Sequence, residues 1–243
     1  TILDTDDQLR LLKEIIKAAG IDDKRWPPRA IHAVIERWKD RGLTPDKLSA
    51  ADAGEVAGGK VIELYRQYQE RLKAFNACDF GDLLLHCLQL FTTHPDVVRQ
   101  YQEQFRYILV DEYQDTNQPQ YEIVKQIGGE HRNVCVVGDD DQSIYGWRGA
   151  DIQKILGFHH DFAGAKIVRL QTNYRSTRPI LEAANAVIRK NASRHEKALE
   201  SARGAGEAVR SVRMKDEVSE AQFVVEEMRK LLRLEEAKPA DFA

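Results

Sequence analysis

Two neighbouring carboxylates, Asp111 and Glu112, directly follow the apolar run 107–110. An apolar run that ends in acids is typical of a buried parallel strand presenting polar side chains at the carboxyl edge of an α/β sheet. Carboxylate oxygens suit Mg²⁺, and a carboxylate can also orient an attacking water. The pair therefore predicts a site of the kind found in nucleotide hydrolases, and a solvated strand end is the alternative.

Two later segments, 136–150 and 170–177, also place polar side chains after an apolar run. Residues 136–150 continue from a short apolar stretch into three acids, Asp139–Asp141, and then into Tyr145, Trp147 and Arg148. Tryptophan usually belongs to a core, but this one stands between glycines and beside an arginine, which favours an exposed aromatic side chain. An exposed aromatic face can stack on any nucleic-acid base, with a gain of about 1–3 kcal/mol per base.

The three segments together resemble motifs II, III and IV of the superfamily-one DNA helicases of the UvrD/PcrA/Rep group. The first is Asp-Glu-Tyr-Gln-Asp-Thr-Asn at 111–117, which has tyrosine where the family usually has phenylalanine. The second is Asp-Gln-Ser-Ile-Tyr-Gly-Trp-Arg-Gly-Ala at 141–150, and the third is Asn-Tyr-Arg-Ser-Thr at 173–177. Strings of this length are far more specific than a single glycine pattern.

The resemblance implies ATP and Mg²⁺ as cofactors. Asp111 would hold Mg²⁺ through water, and Glu112 would orient or activate the hydrolytic water. Gln142 would sense the γ-phosphate and pass that state to the DNA site. Gln114 and Asp115 would lie at the nucleotide, although helix capping by Asp115 is an alternative.

The resemblance also implies DNA contacts and a second lobe. Trp147 would stack on single-stranded DNA, with Tyr145 and Arg148 assisting. Tyr174 would stack on adenine, and Arg175 would reach the γ-phosphate as an arginine finger across the cleft between two lobes. Such a finger typically contributes about 10³–10⁵-fold in rate. A salt bridge at a helix start is the alternative role for Arg175.

Three further patterns have mainly structural interpretations. The triplet Asp139–Asp141 is expected to serve turns and caps, because adjacent side chains in a loop rarely converge on one ion. Gly54 to Lys60 fits the spacing of a P-loop, but Val61 replaces the Mg²⁺-binding hydroxyl and no apolar strand precedes it. Asp79 and Asp82 resemble a further helicase motif, and capping by Asp79 explains the pattern about as well.

The expected fold class is α/β, with incomplete RecA-like parallel-sheet lobes preceded by a small all-helical subdomain. Helical periodicity covers residues 5–75, so 1–75 is expected to form a partial 1B-like subdomain. Residues 76–165 would form part of the 1A lobe and 166–243 part of the 2A lobe, by family resemblance. Predicted strands at 106–110, 133–137, 166–170 and 208–213 alternate with helices, which indicates parallel sheets. The stretch 192–207 is expected to be a surface loop.

Composition supports a globular protein without a general basic excess. The chain has 243 residues, of which 42% are hydrophobic and 31% charged, and its net charge is −3. Any DNA contact must therefore come from local patches and aromatic side chains. Three cysteines without metal-ligand spacing, and no secretory leader or membrane-spanning run, favour a cytoplasmic protein.

The sequence thus predicts part of an ATP-dependent 3′–5′ DNA helicase and single-stranded DNA translocase of DNA repair or replication. It begins at Thr1 without methionine and reads like an excised piece, so the isolated chain is expected to be inactive for want of a P-loop and later motifs. Expected partners are single-stranded DNA and its junctions with duplex, with repair or replication proteins in addition. The alternatives are the motor of a helicase–nuclease subunit and a non-catalytic module that binds nucleic acid or protein.

Overall fold

The computed structural model describes residues 1–192, 194–195 and 197–242. Ser193 and Glu196, within the predicted loop 192–207, lie outside the described residues, as does Ala243. The chain divides into two compact units. The first unit comprises residues 1–168 together with the segment 192–196, and the second comprises the remaining residues.

The first unit begins with a helical part that holds the main hydrophobic core. Its helices are α1 (Thr5–Ala18), α2 (Pro28–Asp40), α3 (Ala50–Ala53) and α4 (Val61–Ala74), with short 3-10 turns at 45–47 and 56–59. Asp4 caps α1 by accepting a hydrogen bond from the backbone of Asp7, and proline at the first position opens α2. The apolar stripes of α1, α2 and α4 meet in one cluster that includes Leu12, Ile35 and Tyr65.

An α/β part completes the first unit. In chain order it contains α5 (Phe80–Thr93), α6 (Pro95–Gln104), β1 (Ile108–Val110), α7 (Gln118–Gly128), β2 (Val134–Val136), α8 (Gln153–Leu156) and α9 (Phe158–Asp161). Strands β1 and β2 are parallel, with Val110 opposite Val136. Helix α7 packs on this pair at Gly128, where an added Cβ would lie 2.4 Å from a methyl carbon of Val134. Both strands therefore end on the same side, as parallel pairing requires.

The expectation that the first strand is buried is wrong for one face of β1. Leu109 in the middle of β1 is 79% exposed, and its partner Cys135 in β2 is also exposed. Side chains alternate between the two faces of a strand, so Ile108 and Val110 face the helices while Leu109 faces away from them. The described part of the chain covers one face of the sheet and leaves the other in contact with solvent.

The second unit has a smaller sheet and two long helices. Its elements are β3 (Thr172–Asn173), α10 (Arg178–Ile188), β4 (Glu200–Ser201) and α11 (Glu217–Arg233), and β3 and β4 are parallel. The predicted strands 166–170 and 208–213 are not strands in the structure. Leu170 and Val209 in these segments are 80% and 58% exposed, because no described segment pairs with them. Strand β4 instead lies within the stretch predicted to be a loop.

The expected fold class is confirmed as mixed α/β with small parallel sheets, which agrees with incomplete RecA-like lobes preceded by helices. Within the described ranges, no helix is both long and apolar enough to cross a membrane. The P-loop-like run Gly54–Lys60 lies between α3 and α4, in the helical part. It follows a helix rather than a strand, which agrees with the structural interpretation of this run.

Candidate nucleotide and nucleic-acid site

The two acids lie immediately beyond β1, in a sharp turn. Asp111 and Glu112 are both exposed, and the Glu112 backbone N–H donates to Oδ1 of Asp111 at 2.9 Å. Glu112 has a left-handed backbone conformation, with φ of +50°. A non-glycine residue rarely adopts this conformation, and such strain is concentrated at functional sites. The turn presents two carboxylates to solvent at the carboxyl end of the parallel sheet.

Gln114 connects these acids to the segment after β2. Its side chain is buried, with 1% exposure, and its amide nitrogen donates to Oε2 of Glu112 at 2.7 Å. Its amide oxygen accepts a hydrogen bond from the backbone N–H of Asp139 at 3.0 Å. Oδ2 of Asp139 in turn accepts from the Gln142 amide at 2.8 Å. A continuous path of hydrogen bonds therefore runs from Glu112 to Gln142.

A glycine makes room for this path. A Cβ on Gly138 would lie 2.5 Å from Oε1 of Gln114 and 2.8 Å from a methyl carbon of Ile155. Any larger residue would force Gln114 out of its present position, because that contact is far shorter than a van der Waals distance. The close approach of the two segments at Gly138 is what allows Gln114 to contact both.

The acidic triplet takes part in local structure. Asp139 caps a 3-10 turn by accepting from the backbone N–H of Asp141. Asp140 is buried and accepts from the backbone N–H of His195, while Asp141 forms an ion pair with Arg194 at 2.7 Å. Among the described residues, no group of three or more His, Cys, Asp or Glu side chains could hold a metal ion.

The segment 145–149, which we name the stacking turn, presents two exposed aromatic rings. Trp147 is 68% exposed and Tyr145 is 38% exposed, and their ring centroids are 6.4 Å apart. The guanidinium of Arg148 lies over both rings, 4.5 Å from the Trp147 centroid and 5.4 Å from that of Tyr145. The exposure that the sequence predicted for Trp147 is observed, and its role in DNA binding stays a prediction.

In the second unit, Tyr174 and Arg175 follow directly after β3. Tyr174 is 77% exposed, and the side chain of Asn173 accepts hydrogen bonds from the backbones of Arg175 and Ser176 at 3.0 and 2.8 Å. Among the described residues, the Arg175 guanidinium forms no ion pair within 4.0 Å. The turn fixed by Asn173 therefore presents both side chains to solvent.

The structure thus joins some of the predicted residues and not others. Glu112, Gln114 and Gln142 are connected by hydrogen bonds in the first unit, with Asp111 bonded to the Glu112 backbone. Tyr174 and Arg175 belong to the second unit. Their roles at a nucleotide stay predictions.

Asp79 and Asp82 belong to a buried charge cluster whose central residue, Lys39, was not predicted from the sequence. Lys39 donates to Oδ2 of Asp79 at 2.5 Å and to Oδ1 of Asp82 at 2.7 Å, and all three side chains are almost completely buried. Tyr68 and Gln69 add hydrogen bonds of 2.9 and 2.8 Å to the two carboxylates. Asp79 also caps α5, as one of the two interpretations expected. No local pattern marks Lys39, because its partners lie some 40 residues away along the chain.

Burial alone would raise the pKa of Asp79, but the Lys39 charge and several hydrogen bonds hold it below its usual range. At Glu36, one helical turn before Asp40, burial outweighs the compensating charge of Lys39. Burial, and then the charge of Asp79, raise the pKa of Glu36 to about 7. The first unit therefore contains a buried ion cluster in which the pKa of Asp79 is lowered, and a neighbouring carboxyl, Glu36, whose pKa lies near neutrality.

Comparison with known proteins assigns both units to one family. The UvrD/REP helicase N-terminal domain model matches residues 1–163, and the UvrD-like helicase C-terminal domain model matches residues 168–241. A probable DNA helicase II homolog of Rickettsia felis is 48% identical over 96% of this chain and 36% of its own length. The DNA helicase II of Rickettsia typhi is 48% identical over 97% of the chain and 36% of its own length.

The ATP-dependent DNA helicase PcrA of Staphylococcus epidermidis is 43% identical over 95% of this chain and 31% of its own length. The chain thus spans about a third of the length of the curated relatives it matches. The family models together cover nearly all of its residues, including the three motif segments described above. The chain belongs to the UvrD/REP helicase family.

Proposed function

We propose that this chain is part of an ATP-dependent 3′–5′ DNA helicase that translocates along single-stranded DNA and unwinds duplex in repair or replication. The observation that carries the proposal is the hydrogen-bonded path from Glu112 through Gln114 and Asp139 to Gln142. It connects acids suited to nucleotide hydrolysis with the segment that leads into the exposed stacking turn. A motor needs such a connection, because hydrolysis must change the contacts made with DNA.

The acids after β1 fit a magnesium ion. Asp111 and Glu112 offer exposed carboxylate oxygens, and Mg²⁺ binds such oxygens while it keeps several waters. Oδ1 of Asp115 is a buried acceptor with no hydrogen-bond partner among the described residues, so a further acceptor is present beside Gln114. We assign Asp111 to the ion through water, where Mg²⁺ would neutralise phosphate charge.

Glu112 orients the hydrolytic water in this proposal. The Gln114 amide holds its Oε2 and leaves the other carboxylate oxygen for a water. Gln142 is exposed at the far end of the path, where its amide can both donate to a phosphate oxygen and accept from a water. A change in its bonding partner would alter the Asp139 contact, and through it the segment that precedes the stacking turn.

The stacking turn supplies the contact with single-stranded DNA. Trp147 and Tyr145 offer aromatic faces, and Arg148 supplies a positive charge beside them. Stacking is insensitive to base identity, which suits movement along any sequence. This local patch explains how a chain with net charge −3 can bind a polyanion.

Tyr174 and Arg175 complete the nucleotide chemistry in the proposal. Tyr174 stacks on adenine, and Arg175 supplies positive charge to the γ-phosphate, where an arginine typically raises the rate about 10³–10⁵-fold. The sequence contains no P-loop that meets the requirements for strand and hydroxyl. We therefore assign the phosphate-binding backbone and its lysine to the rest of a longer cytoplasmic protein.

Two assays on the 243-residue chain test these proposals. With saturating single-stranded DNA and Mg²⁺, the chain is expected to hydrolyse no ATP above background. Turnover approaching that of an intact helicase would refute the assignment of the phosphate-binding backbone and its lysine to residues outside this chain. With oligo(dT), tryptophan emission is expected to be quenched, and Trp147→Ala should remove the change. Trp26→Phe serves as the matched control, because Trp26 packs against the helical core.

A further inference from the structure

The last turn of α2 contacts three separate parts of the first unit. Lys39 binds the two acids at the start of α5. Its neighbour Asp40 accepts a hydrogen bond from the side-chain amide of Asn117 at 3.2 Å. Asp40 also lies against Gly149, the last residue of the stacking turn. Two adjacent residues of one helix thus reach segments that are far apart in sequence.

Lys39 makes the last turn of α2 rigid. Its side chain has 1% exposure, and the stem packs on Gly81, where an added Cβ would lie 2.8 Å from Cδ of Lys39. A buried ammonium held by two carboxylates cannot move without exposing unpaired charge, which is costly in a low-dielectric interior. The backbone of Asp40 is therefore fixed relative to α5.

Asp40 lies between the end of the first motif and the end of the second. Asn117 is the last residue of the segment 111–117, and Gly149 has a left-handed φ of +77°. A Cβ on Gly149 would lie 2.5 Å from Cβ of Asp40, so the two backbones approach closely. A hydrogen bond of 3.4 Å from the Asp151 backbone to the Thr116 carbonyl adds a second link between the same segments.

The charged groups around Asp40 support its position between Asn117 and the stacking turn. Burial raises the pKa of Asp40, while the Asn117 hydrogen bond and the positive charge of Arg148 act in the opposite direction. Arg148 is the residue whose guanidinium lies over Trp147 and Tyr145. The carboxylate of Asp40 therefore interacts with both the end of the acid-bearing segment and the cation of the stacking turn.

We propose that Asp40 is a positioning residue, which holds the stacking turn in place against Asn117 so that Trp147 is ready to stack on a base. The part that concerns DNA rests on the proposed function. The part that concerns position does not, because it is a property of the chain without ligand. Asp40 itself contacts no DNA in this scheme and acts through Asn117, Gly149 and Arg148.

The test exchanges the two partners. Asn117→Asp places two carboxylates opposite each other, whereas the double variant Asp40→Asn/Asn117→Asp restores the hydrogen bond with donor and acceptor reversed. Asn117 also caps α7 by accepting from the backbone of Gln120 at 3.1 Å. Aspartate and asparagine cap helices about equally well, so α7 retains its cap in both variants.

Hydrogen exchange of the ligand-free chain gives the first measurement. The amides of Arg148 and Gly149 donate within the turn, to the carbonyls of Tyr145 and Gly146. Asn117→Asp is expected to speed their exchange about tenfold, which corresponds to ~1.4 kcal/mol of local stability. The double variant should return to within about twofold of the original rate. Asp96→Ala, at an exposed acid on α6, should leave these amides unchanged.

Oligo(dT) affinity gives the second measurement. Asn117→Asp should weaken binding about fivefold, which corresponds to the lower end of the free energy gained by stacking one base on an aromatic ring. The double variant should recover the original affinity. Unchanged exchange in Asn117→Asp, or no recovery in the double variant, would overturn the proposal. If Asn117→Asp does not fold, Asp40→Ala decides by the same exchange measurement. Absence of DNA binding by the unmodified chain, with the exchange pattern as expected, would refute the proposed function alone.

Discussion

Replacing Lys39 by methionine tests the structural basis of the first unit. Methionine keeps an unbranched stem on Gly81 but removes the ammonium from between Asp79 and Asp82, which are 0% exposed. Breaking a buried ion pair by removing one partner typically costs about 3–5 kcal/mol, because the remaining charge is left without compensation. Here two carboxylates remain, and their other donors among the described residues are Tyr68, Gln69 and backbone N–H groups. We therefore expect the free energy of unfolding to fall by about 4 kcal/mol.

Urea unfolding followed by tryptophan emission measures this loss. Trp26, Trp38 and Trp147 all lie in the first unit, so the signal reports on that unit. The matched control is Lys125→Met, which removes a lysine from a pair with Asp161 at 2.9 Å whose side chains are 38% and 23% exposed. A pair with this much solvent contact is worth less than about 1 kcal/mol.

The pH dependence provides an internal check on the same variant. In the unmodified protein the folded-state pKa of Asp79 is depressed, so its contribution to stability is present above the unfolded pKa and is lost as pH falls through the folded value. Without Lys39, burial and the neighbouring carboxylate should raise the pKa of Asp79, so the variant should gain stability relative to the unmodified protein as pH falls. Equal costs for Lys39→Met and Lys125→Met at neutral pH would refute the reasoning.

Further predictions concern the titrating carboxyl, the bridging amide and the open sheet face. Glu36→Gln should gain stability relative to the unmodified chain as pH rises from about 4.5 to about 7, because the folded pKa of Glu36 is raised and the unfolded chain loses its proton first. Urea unfolding at several pH values checks this, and a stability difference that does not change with pH would contradict it. Gln114→Met should cost about 2 kcal/mol, because it removes the buried amide that donates to Glu112 and accepts from the Asp139 N–H. Gln67→Met on α4 should stay within about 0.5 kcal/mol, and similar urea midpoints for the two variants would argue against a buried hydrogen-bond path. Leu109→Ala should cost less than about 0.5 kcal/mol while Leu12→Ala, at a fully buried position, should cost about 2–5 kcal/mol; a large loss for Leu109→Ala in urea unfolding would show that the exposed face is covered.

The helical part was predictable because its signals are local. Pro28 at the start of α2 and the apolar stripes of α1, α2 and α4 are visible in the sequence, and the structure buries most of those residues. Phe75 continues the α4 stripe but is 58% exposed, because it lies at the C-terminal end of the helix, beyond the core. Periodicity identifies a face of a helix and does not show how far the neighbouring elements extend along it.

Strands were less predictable because each needs a partner. Strands β1 and β2 lie where apolar runs placed them, and they pair with each other. The run 166–170, which contains Ile167, Val168 and Leu170, has no partner among the described segments and forms no strand. Glu200–Ser201 forms β4 despite a polar sequence, because β3 provides a backbone to pair with. Strand formation is set by cross-strand contacts more than by intrinsic preference.

Some residues of the candidate site could likewise be predicted from the sequence, and others could not. Asp111, Glu112 and Trp147 could be chosen from sequence because residue type and motif spacing identify them. The bridging position of Gln114 depends on the close approach at Gly138, and the contact of Asp40 depends on a fold that joins residues 77 positions apart. Only coordinates reveal contacts of that range, since no short pattern contains both partners.

The most direct test of the central claim is the DNA-stimulated ATPase rate of the complete protein that contains this sequence. Arg175→Ala should lower the rate at least about 10³-fold and Glu112→Gln at least about 10²-fold, while Arg178→Ala, at an exposed arginine on α10, should retain most of it. Rates for Arg175→Ala or Glu112→Gln within about tenfold of the unmodified protein would contradict the assignment of these residues to a shared nucleotide.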